Sequence, residues 1–204
     1  MTVPLSLAHP FRGRWLARNS PANRVPSHGT TLLATAHAID LVPVDARGRT
    51  APVRLTTLVR PEPPERFPGF GRVVTAPASG VVVAVHDGEP DHPAYRGLPS
   101  VAHALTQRRR LAAGWVALAG NHVLLRTGGA VVALCHLQRG SVAVRPGQHL
   151  EVGDEIGRCG SSGNSTEPHL HLQAMDGPDP RHAVAVPFLL DGRLPRNGEV
   201  VDVP

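Results

Sequence analysis

The chain contains no lysine. All 21 basic side chains are arginines, set against 16 acidic ones, for a formal net charge of +5 over 204 residues. Without lysine there is no amine to carry a lipoyl or biotinyl group, so carrier functions of that kind are excluded. Aromatic residues make up only 3% of the chain, too few to interleave a basic stripe with stacking platforms, and a nucleic-acid partner is not expected. The positive charge reads instead as solvated guanidinium groups, including the one dense cluster, Arg108-Arg109-Arg110. No apolar run reaches the roughly 20 residues of a membrane span. The start, Met1-Thr2-Val3-Pro4-Leu5, lacks the basic segment and long apolar stretch of a secretory leader, and the expected location is the cytoplasm. The two cysteines, Cys135 and Cys159, sit among apolar neighbours and form no Cys-x-x-Cys pair; reduced, buried thiols are expected.

What is present is a run of short β signals. Apolar content is 41%, enough for a self-supporting core at this length. Residues 1–27, rich in Pro, Arg, Ser and Asn, read as an extended arm. Ala38 to Val44 reads as a strand ending at the turn Asp45-Ala46-Arg47-Gly48, and the proline-rich stretch 60–70 reads as a loop. Val73-Val74, Val81 to Val85, Asn121 to Arg126, Ala130 to Leu137, Ser141 to Val144, Glu155 to Arg158 and His169 to Gln173 then read as strands, with Gly- and Pro-bearing turns between them. Residues of about 86–114 form an insert, with a helix expected from Ser100 through Leu111. The expected architecture is mainly β: an antiparallel sandwich or barrel-like domain over 28–190, an N-terminal arm, a short helical insert and a tail at 191–204.

The residues with chemistry are histidines. His169-Leu170-His171 places two imidazoles on one face of a strand, since residues i and i+2 point the same way. His136 ends the apolar run Val131 to Cys135, and a buried histidine needs a partner or a function. Asp40, alone inside the apolar strand Ala38–Val42, needs a partner or a metal for the same reason. His28 and His37 are near it in sequence. Three nitrogen or carboxylate ligands with one open position is the pattern of a catalytic zinc.

These residues resemble a known family. Gly120-Asn121, Cys135-His136-Leu137, Val144 with Gly147, Val152-Gly153 with Ile156-Gly157, and Gly163-Asn164-Ser165-Thr166-Glu167-Pro168-His169-Leu170-His171 are similar, in order, to the motifs of M23 metallopeptidases of the LytM or lysostaphin type. Ala76-Pro77-Ala78-Ser79-Gly80-Val81-Val82 is similar to that family's strand after the first ligand motif. The resemblance spans residues 28–175, with gaps, and implies a duplicated hybrid motif fold. It also implies that His171 is a zinc ligand, that His169 is a catalytic imidazole acting on water at the metal, and that His136 is a second catalytic histidine which, protonated, stabilises the oxyanion. The substrate it implies is a peptide, often the cross-bridge of bacterial cell walls.

The chain departs from the family at the first ligand motif, which normally sets His and Asp four residues apart; the residue four before Asp40 is Ala36. Two repairs are open. His28, followed by Gly29 as in the motif, serves if Thr30 to Ala38 is an inserted loop. His37 serves only if a bulge turns it, because residues three apart face opposite ways in a regular strand. His28 is preferred, giving His28, Asp40 and His171 as the metal set. The leading expectation is a zinc endopeptidase; the alternatives are a LytM-like regulatory module without activity and, on the same fold, a histidine phosphocarrier.

Overall fold

The computed structural model describes residues 3–52 and 55–204; the side chains of Leu55, Gln107 and Arg108 also fall outside what it describes. The expectations resting on Met1, Thr2 and the Arg108 side chain therefore lie outside the described residues. Among those described, no helix is long and apolar enough to cross a membrane.

Among the described residues, twelve strands carry the fold: β1 (Leu5–Leu7), β2 (Gly13–Arg18), β3 (Ile39–Pro43), β4 (Val73–Thr75), β5 (Gly80–His86), β6 (Asn121–Thr127), β7 (Ala130–Leu137), β8 (His149–Leu150), β9 (Glu155–Arg158), β10 (Leu170–Met175), β11 (Phe188–Leu190) and β12 (Val200–Val203). Eight of them make one antiparallel sheet in the order β12-β2-β3-β10-β7-β6-β5-β8. The ribbon β4-β9 is antiparallel and the ribbon β1-β11 parallel. The mainly β, antiparallel architecture expected from the short strands is what the chain forms.

Alternation sorts the sheet into two faces. Ile39 and Leu41, Val123 and Leu125, Val132 and Leu134, and Leu170 and Leu172 turn into the main core, where they meet Trp15, Val74 and Ile156. Each of these large apolar side chains contributes roughly 1.5–3 kcal/mol by leaving water. The opposite face carries a smaller cluster of Ala133, Cys135 and Met175, covered by Ala34 and Ala119. Both cysteines are buried and unpaired.

Three segments differ from the sequence reading. Residues 5–18, within the stretch read as an arm, supply β1 and β2, and residues 200–203, within the tail, supply β12. The reason is in β2 itself: Trp15 and Ala17 alternate into the core and are fully buried, while Arg14, Leu16 and Arg18, which alternate with them, line its outer side. Ser141 to Val144 forms no strand, because Asp87 takes the Gly140 and Val142 amides that a ladder would use.

The insert and the residues just after it hold three short helices, α1 (Leu98–Leu105), α2 (Gln107–Ala112) and α3 (Trp115–Ala119), where a single helix from Ser100 through Leu111 was expected. Arg110 of the basic cluster is turned inward onto Asn164, Thr106 and the His103 carbonyl. His103 stacks on Tyr95, with ring centroids 4.5 Å apart. Burial, then the charges of Arg110 and His92, pull its pKa down from 6.5 to about 4. A lowered histidine pKa means that the unfolded chain takes up the proton first. The stability contributed by neutral His103 is therefore complete above about pH 6.5 and is lost as pH falls towards about 4. Denaturant titrations of wild type and His103→Gln should accordingly show wild type losing more stability between neutral and mildly acid pH than the variant does.

Candidate functional site

The pairing of β3 with β10 sets His171 directly opposite Asp40, and that of β10 with β7 sets His171 opposite Cys135. With the apolar neighbours Leu41 and Leu172 committed to the core, alternation leaves Asp40, His171 and Gln173 on the other face. His28 reaches the same point from the loop between β2 and β3. Its Nε2 lies 3.2 Å from Asp40 Oδ2, while His171 Nδ1 lies 2.9 Å from Asp40 Oδ1. Ligand atoms of His28, Asp40 and His171 all fall within 4.8 Å of one another. His37 is not part of this group and does not line the cleft around it.

The hydrogen-bond network fixes which ring atoms face inward. The Ser27 hydroxyl donates to the Thr35 carbonyl, so its oxygen accepts from His28 Nδ1, and Nε2 faces Asp40. The Gln173 amide donates to the Leu33 carbonyl, so its oxygen accepts from His171 Nε2, and Nδ1 faces Asp40. Two imidazole nitrogens thus converge on one carboxylate. Burial disfavours the Asp40 anion, but the neighbouring His169 and His28, with contacts from His169 and His171, hold its pKa well below the ordinary range. A carboxylate between two imidazole nitrogens is held either by protons on the rings or by a cation that takes their place. An N,N,O set of this kind suits zinc, and the three side chains present fit it.

His169 and His136 flank the cluster without joining it. His169 Nδ1 donates to the Glu167 carbonyl at 2.8 Å, and its Nε2 lies 3.6 Å from Asp40 Oδ1. Burial would lower its pKa, but the Asp40 charge and its hydrogen bonds prevail, and the pKa is raised. Glu167 is itself buried and is paired with Arg18 of β2, which ties the N-terminal strand to the loop carrying His169.

His136 reaches the cleft through a break in β7. Asn121 pairs with Leu137 and Val123 with Leu134, so two residues of β7, Cys135 and His136, oppose the single His122. His136 has φ of 62°. The bulge lets Leu134 and Leu137 both enter the core while Cys135 and His136 both line the cleft. A left-handed conformation at a non-glycine residue is strained, and such strain gathers at working sites. His136 Nδ1 donates to the Ser162 carbonyl. Burial first, then the charges of His169 and His171, push its pKa well down. Burial thus favours the neutral form of the His136 ring.

The Ser162 carbonyl is held by a tight approach next to it. Gly163 has φ of +70°, and a Cβ there would lie 2.4 Å from the Gly120 nitrogen and 2.6 Å from the Leu118 oxygen. Gly163→Ala is expected to cost about 2–5 kcal/mol in a denaturation experiment, combining left-handed strain with overpacking.

The cleft has a volume of about 390 Å³. Leu32 and Leu33 line one part of it, and Leu111, Trp115 and Leu118 of the insert line another. Sequence reasoning did not identify Gln173, Asn19 or this apolar lining as part of the site. Asn19 donates to Asp40 Oδ2 at 2.6 Å, but nothing in its sequence neighbourhood singles it out. The signal for Gln173 was available: it follows His171 by two residues and so shares its face.

The sheet and the loop before β3 bring two histidines and an aspartate to one point, with two more histidines beside it, a set that could hold a metal ion. The family model described as Peptidase family M23 matches residues 67–183, more than half of the chain, and the chain belongs to that family. His136, His169 and His171 lie within the match, whereas His28 and Asp40 precede it. Similar solved structures include the catalytic domain of the antimicrobial peptidase lysostaphin from Staphylococcus simulans, at 19% identity and TM-score 0.42, covering 76% of this chain and 80% of that one. A second is a mutant catalytic domain of the prophage-encoded M23 protein EnpA from Enterococcus faecalis, at 17% identity and TM-score 0.39, covering 74% of this chain and 75% of that one. A third is a zinc containing peptidase from Vibrio cholerae, at 16% identity and TM-score 0.36, covering 82% of this chain and 50% of that one.

Proposed function

We propose that the protein is a zinc-dependent endopeptidase acting on peptides of the bacterial cell wall, with His28, Asp40 and His171 as metal ligands and His169 and His136 as the catalytic pair. The observation that carries this reading is the convergence of His28, Asp40 and His171, whose ligand atoms lie within 4.8 Å of one another. Membership of the M23 family supports the peptidase chemistry.

When bound, zinc would supply Lewis acidity, polarising a carbonyl and acidifying water. The chain's own groups supply the rest. Asp40 and the two ligand histidines set the position of the ion. The Glu167 carbonyl holds His169 Nδ1–H, so Nε2 is free to accept a proton from water. Ser162 holds His136 the same way, so its Nε2 is a second acceptor, which can serve the carbonyl oxygen as a donor only after taking a proton. Leu32, Leu33, Trp115 and Leu118 offer apolar surface along the cleft. Asp40 is the one carboxylate among the described lining residues, and Arg24 also lines the cleft.

The test is reconstitution. Metal-free protein should take up one equivalent of zinc and then release new amino termini from purified peptidoglycan, and Asp40→Ala should do neither. A wild-type protein that takes up no zinc would overturn the reading. The alternative of a regulatory module without activity draws on one observation, that the segment carrying His28 and Asp40 lies outside the family match. Zinc uptake without hydrolysis of any wall peptide would favour it.

A further inference from the structure

Gln173 is fully buried on the cleft face of β10, two residues after His171. Its amide is used at both ends. The Nε2 group donates to the Leu33 carbonyl at 2.9 Å and contacts Met175 Sδ at 3.4 Å; Oε1 accepts from His171 Nε2 at 3.0 Å. Because the Leu33 carbonyl can only accept, a flipped amide would set its oxygen against that carbonyl, so Nε2 stays towards Leu33 and Oε1 towards His171. The orientation of the glutamine therefore fixes the orientation and tautomer of the imidazole.

The other end of this link lies in the segment where the chain departs from its family. Residues 29–39 separate His28 from Asp40, far more than the usual ligand spacing allows. Within that segment Leu33 (φ 56°, ψ 31°) and Ala34 (φ 58°, ψ 30°) are both left-handed. Two successive non-glycine residues in that region cost of order 1–3 kcal/mol each and persist only when their surroundings hold them. What holds them here includes Gln173 through the Leu33 carbonyl, and Ala34, which is buried against the Met175 and Cys135 cluster. The same loop fixes His28: Ser27 N–H donates to the Ala36 carbonyl, and the Ser27 hydroxyl bonds both Thr35 O and His28 Nδ1.

We propose that Gln173 is a positioning residue of this site, which locks the His171 ring with Nδ1 towards Asp40 and latches the long His28 loop onto β10 through the Leu33 carbonyl. It couples the first ligand's loop to the third ligand, and so replaces the rigidity that a short His-to-Asp spacing on one strand would give. The inference rests on the zinc reading for its consequence, though not for its geometry.

Two variants separate the two bonds. Gln173→Met keeps the volume and removes both the acceptor for His171 and the donor for Leu33. Gln173→Glu keeps the acceptor and removes the donor. In metal-free protein at alkaline pH, nitrogen-15 NMR should show wild-type His171 as the Nε2–H tautomer. Gln173→Glu should retain that tautomer and Gln173→Met should give a mixture. Amide hydrogen exchange from Leu33 to Ala38 should be faster in both variants. Zinc affinity, read by competition with a chromophoric chelator, should fall roughly 10–100-fold in Gln173→Met, the range seen when the partner of a metal-bound histidine is lost, and less in Gln173→Glu. An Nδ1–H tautomer in wild type, or an unchanged tautomer in Gln173→Met, would overturn the proposal. If wild type takes up no zinc, the peptidase reading fails, while the tautomer and exchange measurements still decide the role of Gln173.

Discussion

His28→Ala is expected to release zinc and abolish hydrolysis, whereas His37→Ala should leave metal occupancy and turnover within a few-fold of wild type. The two residues are the rival candidates for one role, and the geometry separates them. His28 Nε2 lies 3.2 Å from Asp40 Oδ2 and its ring centroid 4.9 Å from that of His171; His37 neither joins the cluster nor lines the cleft. Binding free energies of about 10–16 kcal/mol for four-ligand zinc sites imply about 3 kcal/mol or more per ligand, or a loss of affinity of ~10²-fold or greater. Metal analysis after dialysis against a weak chelator reads this directly. Full occupancy in His28→Ala with loss in His37→Ala would reverse the assignment. Loss in neither would mean that Asp40 and His171 hold the ion with a ligand outside the trio.

Part of this site was legible from residue spacing because strand geometry is simple. His169-Leu170-His171 needs only a period of two to share a face, and Leu170 and Leu172 supply the apolar alternation that says which face is buried. Asp40 was legible for the same reason: a carboxylate between Ile39 and Leu41 must turn away from the core they enter. His136 was harder. Regular alternation would point it opposite to Cys135, into the main core, and only the two-against-one bulge facing His122 turns it to the cleft. No local sequence mark announces a left-handed histidine there; a glycine would have done so.

The terminal strands were missed for a different reason. The arginines, prolines and asparagines of residues 10–24 dominate a composition-based reading and hide the alternation of Trp15 and Ala17. Of β2 and β12, only β12 holds an edge, where mixed strands are tolerated because one side of their pairing faces solvent; β2 is paired on both sides, to β12 and to β3. Strand β12 covers β2 on that edge, so two weak segments from opposite ends of the chain form strands by pairing with each other. Tertiary pairing of this kind does not show in either segment alone.

His169→Ala should behave in the opposite manner to the ligand variants: zinc is retained and turnover is lost. The removed ring contributes no atom to the His28, Asp40 and His171 cluster, and its Nε2 stands 3.6 Å from Asp40 Oδ1, beside the ion's position but not within the set. Its fixed Nδ1–H, held by the Glu167 carbonyl and shared with Ser165 Oγ, makes Nε2 an acceptor of constant direction. Removing a positioned general base costs typically about 10²–10⁴-fold in rate, so kcat should fall by that factor while chelator competition gives a zinc affinity close to wild type. Imidazole added to the medium fits the vacated space in the cleft and should restore part of the rate with a dependence on its neutral form. A His169→Ala protein that loses its zinc would make His169 a ligand, and the site would then have four protein ligands and no open position for water.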